Sequence, residues 1–204
     1  VLIIYPKQPS LLKPVIVYLW LALVLNLIAD IITDFKVLLN FPGWLRSNNP
    51  IYNIHSMVRY SCFTYFFFTL KQPYLKIARK VLAVVSAILI VIQFSFFEDF
   101  FYPGNLNGNL LSGEAFFLLV YCMLYYLSEL RVEDNKIIRG ADFWVVTGLC
   151  VYVVINFFVF LFYVPMIQQN LVLAIRIWNV HNIAYILFCL FIAKAFYATS
   201  RTQY

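Results

Sequence analysis

Charge is the scarcest ingredient of this chain. Asp, Glu, Lys and Arg together make up 12% of its 204 residues, against about 25% in soluble domains. Hydrophobic residues make up 64%, and a globule of this length has too little polar surface to cover such a core, so the surplus must face lipid. Histidine is limited to two residues, His55 and His181. No HExxH or GxSxG motif occurs, and no connecting segment exceeds about 20 residues, which leaves no room for a soluble catalytic domain. An enzyme is therefore not expected. The four cysteines, Cys62, Cys122, Cys150 and Cys189, each fall in an apolar run and match no metal-ligand spacing. They read as small hydrophobes. Alternation of apolar and polar residues over about 10 positions, the mark of a membrane β-barrel strand, is also missing.

What the chain does have is long apolar runs. A bilayer-spanning helix needs about 20 mostly apolar residues, and six stretches qualify, at about 14–34, 51–70, 79–97, 110–129, 142–164 and 171–197. The expected fold is all-α, a polytopic transmembrane helix bundle forming one domain over 1–204. Pro- and Gly-containing stretches such as "NFPGW", "KQPYLK", "YPGNLNGN" and "VPMIQQN" read as the connections. Residues 1–5 read as the end of a further helix, which brings the expected total to seven. The helices lack the paired Gly/Pro breaks that mark discontinuous transporter helices, with Pro14, Pro42, Pro50, Pro73, Pro103 and Pro165 falling in connections or at span ends.

The net charge of +6 is concentrated where it orients a membrane protein, so no nucleic-acid partner is expected. Lys71, Lys76, Arg79 and Lys80 form the strongest basic group. Arg131, Lys136 and Arg139 form another, Lys7 and Lys13 precede the first span, and Lys194 and Arg201 close the last. These groups alternate to one side. The opposite connections are acidic or neutral, except for a mildly basic one with Lys36 and Arg46. The C-terminus is accordingly expected on the cytoplasmic side, in a bacterial inner membrane.

Helical periodicity of 3.6 residues gives each span one polar and aromatic stripe. Asn26 and Asp30 share a stripe in the first; Tyr52, His55 and Arg59 in the second; Gln93 and Ser86 lie near one another in the third. Glu114, Tyr121, Tyr125 and Ser128 align in the fourth, Tyr152, Asn156 and Tyr163 in the fifth, and Trp178, His181, Asn182 and Tyr185 in the sixth. Ionisable groups inside a membrane are costly, turn toward the bundle interior and seek opposite charges, so Arg59 is expected to neutralise a carboxylate. Asp30, His55, Arg59, Glu114, Asn156, Trp178, His181 and Asn182 form the candidate ligand pocket, in the outer half of the membrane. The same residues could instead form a hydrogen-bonded network that ties the helices together. Arg176 and Lys194 lie near helix ends and are expected to snorkel. No cofactor is expected; a haem held between His55 and His181 would need only those two ligands.

At "IYNIHSMVRYSCFTYFFF" and "RIWNVHNIAYILFCLFIAKAF" the chain resembles uncharacterised bacterial seven-helix inner-membrane proteins. Those carry a Trp-x-x-His-Asn turn at the start of the last helix, matched here by Trp178, His181 and Asn182. An acidic residue often stands in them where this chain has Arg59. The resemblance implies a receptor-like or signalling-accessory role. The function expected is a membrane sensory or accessory module that binds a small ligand and signals through a membrane or cytoplasmic protein partner. A structural subunit of a larger complex and a small transporter are the alternatives.

Overall fold

A computed structural model describes residues 9–35, 42–45, 47–70, 72, 75–97, 99–102, 106–131 and 140–201. Among these the architecture is all-helical: α1 (Lys13–Phe35), α2 (Asn49–Thr69), α3 (Lys76–Ile92), α4 (Gly108–Glu129), α5 (Ala141–Gln169) and α6 (Leu171–Arg201). Short 3-10 turns, Ser10–Leu12 and Gly43–Leu45, precede α1 and α2, and α3 runs on into a π turn at Gln93–Phe97. The expected seventh helix at residues 1–5 lies outside the described residues, as do Lys7, Lys36, Arg46, Lys71, Lys136 and Arg139.

Five of the six helices are long and apolar enough to cross a bilayer, namely α1, α3, α4, α5 and α6. The expected span at about 51–70 corresponds to the remaining helix, α2. Helix α2 has the length, 21 residues, but not the apolarity, because its first half carries Asn49, Asn53, His55, Ser56 and Arg59. Asn53, His55, Ser56 and Arg59 are all buried against other helices, which removes the cost of meeting acyl chains. The most polar helix is therefore central: α2 packs between α1 and α4, α4 leads to α5, and α5 packs along the length of α6. Helix α3 lies at the periphery: none of its apolar residues is fully buried, and only Leu82 and Ile90 pack against the core cluster.

The core is a column of rings. Phe63 of α2 is fully buried and meets Tyr18 of α1 edge-on at 5.0 Å and Phe188 of α6 at 5.6 Å. Tyr152 of α5 stacks on Phe188 at 5.2 Å, and Phe67 stacks on Tyr121 of α4 at 5.2 Å. Lipid is as apolar as these side chains, so close van der Waals packing, not transfer from water, holds this column together. Gly148 makes the α5–α6 approach possible: a Cβ there would overlap the Phe191 side chain.

Two details differ from the sequence reading. "VPMIQQN" is not a loop. Helix α5 runs through Pro165 to Gln169, and α6 starts at Leu171. Asn170 serves both ends, donating its backbone N–H to the Met166 carbonyl at 2.8 Å and accepting the Leu173 N–H on its side-chain oxygen at 3.1 Å. The second concerns Arg79, grouped above with the loop cations. Arg79 is 4% exposed and donates to the carbonyls of Phe67 at 2.5 Å and Gln72 at 2.7 Å. It supplies the donors that the end of α2 lacks and places a cation at the negative end of that helix. Arg176 and Lys194 are exposed near the ends of α6, as expected for snorkelling residues.

Candidate functional site

Helix α2 brings Tyr52, His55 and Arg59 to one side at offsets of three and seven, with Ser56 on the adjoining face. Opposite Arg59 stands Glu114 of α4, and the two meet as a bidentate fork: Nε donates to Oε1 and the second terminal nitrogen to Oε2, each at 2.5 Å. Ser56 donates a third hydrogen bond to Oε2 at 2.5 Å. The remaining terminal nitrogen of Arg59 donates to the Tyr152 hydroxyl at 2.6 Å, and the guanidinium lies 5.2 Å from the centre of that ring. Both charged side chains are almost fully buried, at 4% and 1%. Three donors on one carboxylate and three acceptor contacts on one guanidinium satisfy what isolated charges in lipid could not.

One turn beyond Tyr152, Asn156 is fully buried. Its amide nitrogen donates to the Tyr152 carbonyl at 2.7 Å, which turns its oxygen toward Nδ1 of His181, 2.5 Å away. An amide oxygen only accepts, so Nδ1 carries the proton and Nε2 keeps its lone pair. The His181 ring is flanked by Trp178 at 4.9 Å and Phe160 at 5.2 Å, and Tyr52 abuts Trp178 edge-on at 5.6 Å. His55 lies parallel to Tyr18, with ring centres 5.9 Å apart. Its Nε2 is buried and has no hydrogen-bond partner among the described residues.

These groups border one cavity of about 340 Å³. Asn26 and Asp30 from α1, Tyr52, His55 and Arg59 from α2, Tyr152 from α5, and Trp178, His181, Asn182 and Tyr185 from α6 line it. Six of the eight candidate residues thus line a single cavity. The other two stand directly behind it, Glu114 bonded to Arg59 and Asn156 bonded to His181. Depth within that set is uneven. Asp30 and Asn182 are exposed, at the rim, while His55 and Arg59 are buried. Ser56 is the functional neighbour that the stripes did not include, although it sits one residue from His55. Gln93 lies elsewhere, beside Glu114 in a mostly apolar groove between α3 and α4.

The arrangement presents a neutralised cation at the floor, two imidazoles, several aromatic faces and a carboxylate at the rim. It can accept hydrogen bonds at His181 Nε2 and Asp30 and stack a flat group against Trp178 or Tyr52. Among the described residues no set of three or more His, Cys, Asp or Glu side chains is placed to hold a metal ion. No family model, no curated protein and no solved structure matches the chain.

Proposed function

We propose that the chain is a membrane-embedded sensory or accessory module that binds a small polar or amphipathic molecule in the cavity between α1, α2, α5 and α6. The observation that carries this is the convergence of polar side chains from four helices on one cavity, with the buried His55 Nε2 left for a further partner. Here Arg59, Glu114 and Asn156 are saturated, and His55 is not. At about 340 Å³ the cavity is near the small end of ligand pockets, about 300–1,000 Å³, which suits a compact metabolite. In this proposal α2 crosses the membrane with the other five helices. The protein resides in a bacterial inner membrane with its C-terminus in the cytoplasm, and a helix displacement caused by the ligand is read by a protein partner. No catalysis and no resident cofactor enter the proposal.

Trp178 supplies the test, because its indole lines the cavity. Protein in lipid nanodiscs is screened with a panel of small amines, amino acids and hydroxy acids by tryptophan emission. Compounds that shift the emission of the parent are expected to leave Trp178→Phe unshifted and to bind His55→Ala and His181→Ala weakly. If both histidine variants respond like the parent, the cavity is not the binding site.

The exposed apolar face of α3 favours a second reading, a subunit of a larger membrane complex. Ile77, Val81, Val84, Ile88 and Val91 are each more than half exposed and could meet partner helices instead of lipid. Stable co-purification of one partner, lost on placing polar residues along that face, would support it. A transporter remains the third class. Pro165 now lies inside α5, but a single break does not make the paired interruptions of a discontinuous binding site.

A further inference from the structure

A second and larger cavity, of about 540 Å³, opens near the N-terminal end of α4. It is separated from the first by Phe160, which lines both. Three asparagines border it, Asn53, Asn107 and Asn109, and the first two are buried, at 2% and 5% exposure. Each of these two amides is held at one end only. Asn53 donates its side-chain nitrogen to the Phe100 carbonyl at 2.8 Å. Asn107 caps α4 by accepting the Leu110 N–H on its side-chain oxygen at 2.8 Å. Those contacts fix which way round each amide sits, since a flip would set oxygen against oxygen or N–H against N–H. The free ends are then an acceptor, Asn53 Oδ1, and a donor, Asn107 Nδ2. Both are buried and without a partner among the described residues. An unmade hydrogen bond of this kind is costly, and a ligand that supplies it recovers the cost.

The rest of the lining narrows the chemistry. Phe97, Tyr102, Phe160 and Val164 offer apolar faces, and Asp99 is the one charged residue among the described lining residues. A carboxylate and two neutral dipoles of opposite sense disfavour an anion. They suit a neutral group that donates and accepts side by side.

We propose that this cavity is a binding site, separate from the histidine-lined one, for an uncharged ligand whose carboxamide or equivalent donor–acceptor group bridges Asn53 and Asn107 while its apolar part packs on Phe97, Tyr102 and Phe160. The probe is benzamide, which joins a flat ring to a primary carboxamide, with benzoate as the isosteric anion. Saturation-transfer NMR on protein in nanodiscs is expected to show benzamide bound and benzoate not. Asn107→Asp and Asn107→Ser both keep an oxygen to cap α4 and delete the Nδ2 donor. Both are expected to weaken benzamide binding about tenfold, the equivalent of one hydrogen bond, and the uncharged Asn107→Ser is expected to do so without lowering the thermal unfolding midpoint. No transfer to benzamide at millimolar concentration would mean that the cavity holds water only and would overturn the proposal. Equal binding of benzoate, or unaltered binding in both Asn107 variants, would overturn it too. Loss of the signal in His181→Ala with no change in the Asn107 variants would put benzamide in the other cavity, with the same consequence.

Discussion

Replacing Glu114 with Gln keeps the shape of the side chain and removes its charge, leaving the Arg59 guanidinium at 4% exposure with only neutral partners, the Tyr152 hydroxyl and one amide oxygen. Breaking one side of a buried ion pair costs about 3–5 kcal/mol. Ordinary polar contacts between membrane helices average about 0.6 kcal/mol and reach about 1.7, so the two regimes are separable. The Glu114 carboxylate accepts three hydrogen bonds at 2.5 Å, which places this pair in the stronger class. Glu114→Gln and Arg59→Met are each expected to destabilise by about 3 kcal/mol or more. The double variant Arg59→Met with Glu114→Leu removes both charges and fills the space with apolar atoms, and it should return to within about 1 kcal/mol of the parent. Reversible unfolding in mixed micelles, followed by near-ultraviolet circular dichroism, measures these variants together with Glu114→Leu alone, which closes the cycle. Single effects below about 1 kcal/mol that simply add would show that the two charges are independently solvated, and the buried-pair reasoning would fail.

Gly148→Ala should force α5 and α6 apart at a cost of about 1–3 kcal/mol. The overlap is with the Phe191 stem, so Phe191→Gly should relieve it and Phe191→Ala should not. Phe63→Ala empties the centre of the ring column and should lower stability by about 3–5 kcal/mol, read in the same unfolding assay. Arg79→Met removes the donors at the end of α2, and hydrogen exchange should quicken for backbone amides at 67–70 while the first half of α2 stays protected. Exchange unchanged in that turn would show that Arg79 is dispensable there.

Much of the scaffold follows from patterns in the chain, and the misses have physical causes. Trp178, His181 and Tyr185 share a face at offsets of three and four, and in the bundle that face lines the cavity. The expectation that Arg59 seeks a carboxylate needs only the cost of charge in lipid, but which carboxylate depends on α4 lying against α2, and no spacing encodes that. Asn107 escaped because it precedes α4, in a stretch that reads as a connection, and Ser56 and Asn53 escaped because a single stripe per helix suits a helix at the edge of a bundle. Helix α2 is central and buries Asn53, Ser56 and Phe63 as well as His55, Arg59 and Phe66. Pro165 reads as a terminator because it lacks an N–H. The chain nevertheless stays helical for another turn, until Asn170 provides a cap. Asp30 keeps the expected period but stands at the rim, since depth depends on how far α1 extends past its neighbours.

Cysteine accessibility probes the placement of the polar side chains most directly. In a background without the four native cysteines, single cysteines replace Asn26, His181 and Asn182 in the cavity wall and Val154 and Ile183 on the exposed apolar faces of α5 and α6. A charged, membrane-impermeant thiol reagent is applied from each side of the membrane in turn. Labelling of the first three from one side, with Val154→Cys and Ile183→Cys unreactive from both, is the predicted result. Reagent that never reaches Asn26→Cys, His181→Cys or Asn182→Cys, or that reaches both sets equally, would contradict a polar cavity inside the bundle.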